Sequence, residues 1–122
     1  MSNDGRELVV MISHGMDDEM SSVGFTIAIG GITAGLRVSI FLTSSGVDLV
    51  RKGAADMTQV NPLEPLAALI KGFMDRGGKI WACTPCVKSR AYTEDDLLDG
   101  VVISGASVMH ELIKNGAATL SF

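Results

Sequence analysis

Two cysteines three residues apart, Cys83 and Cys86 in KIWACTPCVKSR (residues 79–90), are the only thiols in the chain of 122 residues. Such a pair can ligate metal, close a disulfide, exchange sulfur, or pack in a core. A structural zinc needs about four ligands. The pair supplies two, and His14 and His110 stand at no ligand spacing, so no metal and no cofactor is expected. The surrounding residues favour thiol chemistry. KIWAC reads as a strand, Thr84 as a helix N-cap and Pro85 as the first helical residue, which puts Cys86 in the first turn of a short helix running to about Tyr92. Unpaired N–H groups and the helix dipole favour a thiolate there, with Lys88 and Arg90 adding positive charge. The expectation is a nucleophilic cysteine, with Cys83 the better placed of the two. The opposing reading is that free cysteines simply pack.

The elements that would carry these residues follow from apolar patterning. ELVVMIS (7–13) and RVSIFLT (37–43) read as buried strands, KIWAC (79–83) as a third, VVIS (101–104) as a short fourth and AATLSF (117–122) as a fifth. Residues 18–35 read as a helix with two apolar stripes. Met20, Val23, Ile27 and Ala34 form one, and Phe25, Ile29, Ile32 and Leu36 the other; one side would meet the sheet and the other could meet a second subunit. A short helical piece is expected at residues 47–52. Asn61, Pro62 and Glu64 predict the N-cap, first position and capping box of a further helix, with Leu63, Leu66, Ile70 and Phe73 inward. A last helix spans about 105–115, with Val108, Met109, Leu112 and Ile113 inward.

Strands alternating with helices, and apolar on both faces, mean a parallel sheet covered on two sides: a three-layer α/β/α sandwich in one domain, residues 1–122. Loops at the carboxyl ends of such strands build the site. Three qualify, at residues 13–19, 43–48 and 83–93. The first brings His14, which could move a proton. The second brings backbone N–H groups of Ser44, Ser45 and Gly46 that could meet an anion, as could Thr84 in the third. Asp17, Asp18 and Glu19 read as helix N-terminal acids rather than metal ligands, and Thr93 to Asp96 as another cap.

Composition narrows the partners. Apolar residues make up 47% of the chain, enough for a core, and the net charge is −4 with both signs mixed. No basic stripe is present and aromatics are few, which argues against nucleic acid. Arg37 interrupts the one long apolar run, residues 23–42, so no membrane span is expected. MSNDGREL lacks a signal-peptide pattern. The expected location is the cytoplasm.

Four pieces in order resemble the DsrE/DsrF-like family: the first strand with SHGMDD, IFLTSSGVDLVRKG (40–53), ACTPCVKSRAY (82–92), and the ending DLLDGVVISGASVMHELIKNGAATLSF. The resemblance implies a five-stranded, mainly parallel sheet and trimers, hexamers or mixed complexes of related subunits. It also implies sulfur relay through a cysteine persulfide, between donor and acceptor proteins or small persulfides. In one branch of the family the active cysteine stands seven residues before an arginine. Cys83 stands seven before Arg90 and takes that role by resemblance. Cys86 has no counterpart in that pattern, and Ala91 stands where glycine is frequent. Two alternatives accompany the sulfur-relay reading: a small thiol–disulfide protein using both cysteines, and a non-catalytic oligomeric scaffold.

Overall fold

The computed structural model describes residues 5–122. Five strands, β1 (Glu7–Ile12), β2 (Arg37–Leu42), β3 (Lys79–Cys83), β4 (Val102–Ser104) and β5 (Ala118–Ser121), form one sheet in the order β4-β3-β2-β1-β5. All four pairings are parallel, in registers such as Val10 with Ile40 and Ile40 with Ile80. The helices are α1 (Glu19–Thr33), α2 (Leu66–Asp75), α3 (Thr84–Ser89) and α4 (Ser107–Lys114), with 3-10 helices at Ser44–Val50 and Glu94–Asp96. No helix is long and apolar enough to cross a membrane among the described residues.

The connections decide which face each helix covers. The chain moves one strand sideways at each step from β1 to β4, and right-handed crossovers keep α1, α2 and α3 on one face. The step from β4 back to β5, beside β1, runs the other way and carries α4 over the opposite face. At their carboxyl ends the neighbours β3 and β4 therefore send the chain to opposite faces. That is the crevice position where open α/β sheets place their sites, and Cys83 ends β3 there.

The first face holds the main buried core. Val10, Ile12, Ile40, Leu42, Ile80 and Ala82 are fully buried, as are Phe25 and Ala28 of α1 and Leu66 and Phe73 of α2. Each such large side chain contributes about 1.5–3 kcal/mol. Phe25 and Phe73 meet edge to face, ring centroids 5.9 Å apart at 84°, and join α1 to α2. Gly24 and Gly31 let α1 sit close: a Cβ would press on Ile12 at the first and on Val38 and Leu8 at the second. The outer stripe of α1 stays open, with Met20 and Ile27 each 39% exposed.

Several boundaries differ from expectation. α2 starts at Leu66, not at Pro62. Residues 58–66 fold back on themselves: Gln59 bridges Pro65, Leu63 N–H donates to Val60, and Leu66 N–H donates to the Thr58 carbonyl at 2.9 Å. Pro65 thus takes the cap position, and Leu63 is only half-buried. The expected helical piece at 47–52 is the 3-10 helix Ser44–Val50. On α4, Ile113 is 40% exposed rather than inward. Local signals held elsewhere: Asp18 caps α1 by accepting from Met20 N–H at 2.8 Å, and Thr93 and Asp96 form a capping box. Thr93 N–H, then its hydroxyl, hold the Asp96 carboxyl below the usual carboxylate range.

Candidate thiol site

The site is built from the end of β2 and the turn after β3. Thr43 and Cys83 each lie one position past the last paired residues, Leu42 and Ala82, of neighbouring strands. Beyond Thr43 the backbone enters a left-handed conformation at Ser44 (φ 52°), a sparsely populated state for a residue with a side chain. The turn closes with Gly46 N–H on the Thr43 carbonyl at 2.8 Å. Gly46 allows it: a Cβ there would collide with the Ile12 carbonyl oxygen. The result aims Ser44 N–H at Cys86, donating to its Sγ at 3.1 Å. The Thr43 hydroxyl lies 3.6 Å from the same sulfur.

Both cysteines are free. α3 begins at Thr84, so Cys83 rather than Thr84 stands at the cap position, extended (φ −60°, ψ 125°) and without a side-chain cap bond. Cys83 is 9% exposed and Cys86 is half-buried. Their thiols differ in acidity. Burial pushes the Cys83 thiol above its ordinary value, and the Cys86 sulfur beside it adds to the rise, outweighing the Cys86 N–H and the Thr43 hydroxyl. Burial also opposes ionisation of Cys86 and is its largest single influence. The Thr43 hydroxyl, Ser44 N–H, the Cys83 thiol and the Arg90 charge together overcome it and leave Cys86 below the ordinary thiol value. The expected order of acidity is therefore reversed: Cys86 is the more acidic thiol of the pair. The sequence assigned the stronger thiolate to Cys83 because it counted the helix start and not the donors arriving from the β2 loop.

Arg90, just past the end of α3, reaches back to the site. Its Nε donates to Asp48 Oδ1 at 3.0 Å and its Nη1 to the Cys86 carbonyl at 3.2 Å. Tyr92 donates its hydroxyl to the same Asp48 oxygen at 2.6 Å. Burial, then the Asp48 carboxylate, push the Tyr92 phenol up. Neither Asp48 nor Tyr92 was singled out from sequence, although both lie in the loops that were: one after β2, one after α3.

The remaining expected residues are placed differently. His14 is half-exposed, 3.7 Å from Asp18 Oδ2. No hydrogen bond joins it to either sulfur among the described residues. Its carbonyl, with that of Gly15, accepts from buried Ser21 at 2.8 Å, which pins the loop to α1. Ser45 is exposed, Gly46 is structural, and Thr84 is half-buried beside the pair. Lys88 is exposed on the outer side of α3. No cluster of three or more His, Cys, Asp or Glu side chains suited to a metal occurs among the described residues.

Comparison with known proteins places the fold. The model of the DsrE/DsrF-like family matches residues 6–122. An uncharacterized protein of Methanopyrus kandleri, MK0008, is 32% identical over 95 residues, 78% of this chain and 73% of that protein. The Methanocaldococcus jannaschii protein MJ0989 is 29% identical over 106 residues, 87% of this chain and 85% of its own length. The crystal structure of the ychN protein from E. coli superposes with a TM-score of 0.78 at 17% identity, covering 97% of this chain and 99% of that one. MTH1491 from Methanobacterium thermoautotrophicum superposes at 0.72 and 20% identity, covering 98% and 100%. At such identities the two structures establish a shared fold.

Proposed function

This chain belongs to the DsrE/DsrF-like family, and on that footing we propose that it carries sulfur as a cysteine persulfide and passes it to a partner thiol. One observation carries the reading: a half-buried sulfur, Cys86, held by Ser44 N–H at 3.1 Å with a second free thiol beside it. A hydrogen-bonded sulfur of lowered pKa beside a less acidic thiol suits attack on a donor persulfide. The Cys86 thiolate attacks the outer sulfur. A new S–S bond forms on Cys86, the donor's S–S bond breaks, and the donor leaves as a thiolate. A partner thiolate then attacks the outer sulfur, takes it, and returns Cys86 as a thiolate. The sequence reading put the persulfide on Cys83; the hydrogen bonding supports Cys86 better as the entering nucleophile.

Cys83 has the resolving role. Its thiolate can attack the Cys86 sulfur, which forms a Cys83–Cys86 disulfide and expels hydrosulfide. Its raised pKa keeps it protonated and slows that loss. The reading places the protein in a reducing cytoplasm, where free thiols persist. It works with protein or small persulfide donors and acceptors, as a homo-oligomer or with related subunits.

Intact mass under non-reducing conditions, after exposure to a persulfide donor, tests this. A gain of ~32 Da, reversed by reductant, is expected for the native chain and Cys83→Ser and not for Cys86→Ser. A gain kept by Cys86→Ser and lost by Cys83→Ser returns the sulfur to Cys83. The adjacency of the two free thiols also favours a second reading, dithiol–disulfide exchange. It predicts a loss of ~2 Da without added sulfur. No change in any variant leaves the scaffold reading.

A further inference from the structure

We infer that Asp48 is a positioning residue for Cys86, acting through Arg90. The inference rests on Cys86 as the reacting sulfur, but its test does not require sulfur transfer. Asp48 lies in the 3-10 helix after β2 and is 42 residues from Arg90 in sequence. Its Oδ1 takes the Arg90 Nε at 3.0 Å and the Tyr92 hydroxyl at 2.6 Å. Arg90 is thereby fixed at two points, Asp48 by one nitrogen and the Cys86 carbonyl by another at 3.2 Å. The same loop that presents Ser44 N–H to the sulfur is in this way tied to the helix that carries the sulfur.

The local chain is shaped for this clamp. Between the two donors stands Ala91 in a left-handed conformation (φ 58°). Ala91 N–H returns to Lys88 and Tyr92 N–H to Val87, the closure of a helix end. That reversal brings Arg90 and Tyr92 onto one carboxylate oxygen. An alanine held left-handed persists where its surroundings over-determine it, and the Asp48 contacts supply the determination.

A carboxylate beside an arginine could act in two ways, and they have opposite signs. As a shield it cancels the Arg90 charge, so removing it makes Cys86 more acidic. As a clamp it holds the guanidinium where its charge reaches the sulfur. Removing it then lets a long side chain leave for solvent, and Cys86 becomes less acidic. The geometry points to the clamp, because Arg90 touches the Cys86 backbone and not its sulfur: its influence depends on where it is held. The groups facing Cys86 are Cys83 from β3, Thr43 and Ser44 from the β2 loop, and Arg90. Asp48 meets Arg90 from the 3-10 helix, and the Arg51 charge also acts on Tyr92.

The test is iodoacetamide alkylation of the full chain across pH, read at Cys86 by peptide mass, with thermal unfolding confirming that each variant folds. Asp48→Asn is expected to slow Cys86 alkylation at neutral pH on the order of three- to tenfold and to move its midpoint up. Arg90→Gln should do as much, and the double variant no more. Arg90→Lys keeps the charge and loses the fork, and should resemble Arg90→Gln. That comparison also decides the matter if Asp48→Asn does not fold. A midpoint that falls or stays in Asp48→Asn, or a full effect retained by Arg90→Lys, overturns the inference.

Discussion

The two faces of the sheet are finished to different degrees. On the α1 and α2 face, strand residues from Leu8 to Ala82 pack against phenylalanines and leucines, and the 540 Å³ pocket beside α2, lined by Ala67, Ile70 and Met74, lies outside that core. On the other, α4 is the one α-helix among the described residues, eight residues long, and none of its residues is fully buried. Val9 and Phe41 are covered there, yet Trp81 on β3 is half-exposed and Val102 on the edge strand β4 is 53% exposed. A 590 Å³ cleft reaches from this side to the amino ends of the strands, with Ser39, Trp81 and Leu112 in its walls together with Ile32 and Leu36 from the end of α1. The lesson is a division of labour. One face supplies most of the buried core, and the other leaves apolar surface exposed. The thiol pair sits at the carboxyl edge, where β3 and β4 send the chain to opposite faces.

The sharpest way to break this comparison is truncation on each side. Phe73→Ala removes the ring that joins α1 to α2 and should cost about 3–5 kcal/mol in urea unfolding. Leu112→Ala, on half-buried α4, should cost about 1–2 kcal/mol; equal losses would mean the faces contribute alike. Between them falls Gly46→Ala. Its Cβ meets the Ile12 carbonyl, and backbone cannot yield as a side chain does. The expected cost is about 1–3 kcal/mol, with slower Cys86 alkylation as Ser44 N–H is displaced. The smallest effect on stability is expected from Val102→Lys, within about 0.5 kcal/mol. Under the proposed oligomeric reading the same change should weaken self-association in sedimentation, while a surface lysine elsewhere should not.

The thiols give a pH prediction of defined sign. Cys86 ionises in the folded state below its unfolded value, mainly against burial and with the help of Thr43 and Ser44. Its contribution to stability is therefore complete above the ordinary thiol pKa and is lost as pH falls through the folded value. Cys83 is raised by burial. It stabilises below the ordinary thiol pKa, and that contribution is lost as pH climbs through its folded value. Unfolding of Cys83→Ser should thus gain stability with rising alkaline pH relative to Cys86→Ser, as read by denaturant midpoints.

Much of the fold was legible because it is local. KIWAC is β3 to the residue, and the Thr93–Asp96 and Asp18 caps are short-range hydrogen bonds that residue type alone encodes. What failed was set by distant parts of the chain. Asn61-Pro62-Leu63-Glu64 has every mark of a helix start. The chain is instead held there by the Thr58 carbonyl and the Gln59–Pro65 bridge, and the helix waits for Leu66. The cysteines were found from their spacing and strand-end position. Their order of acidity was not, since the donors that decide it, Thr43 and Ser44, come from more than 40 residues away. Asp48 was hidden for the same reason: an aspartate in an apolar loop gains meaning only once Arg90 and Tyr92 are seen to converge on it.

The most direct test of the account is which cysteine reacts first. The native chain would be treated with substoichiometric iodoacetamide at a series of pH values and the label located by peptide mass. The account predicts that Cys86 is labelled first, with a midpoint below that of an ordinary thiol, while Cys83 stays largely unlabelled until alkaline pH. Label appearing first on Cys83, or on both cysteines only at the ordinary thiol pKa, would contradict it.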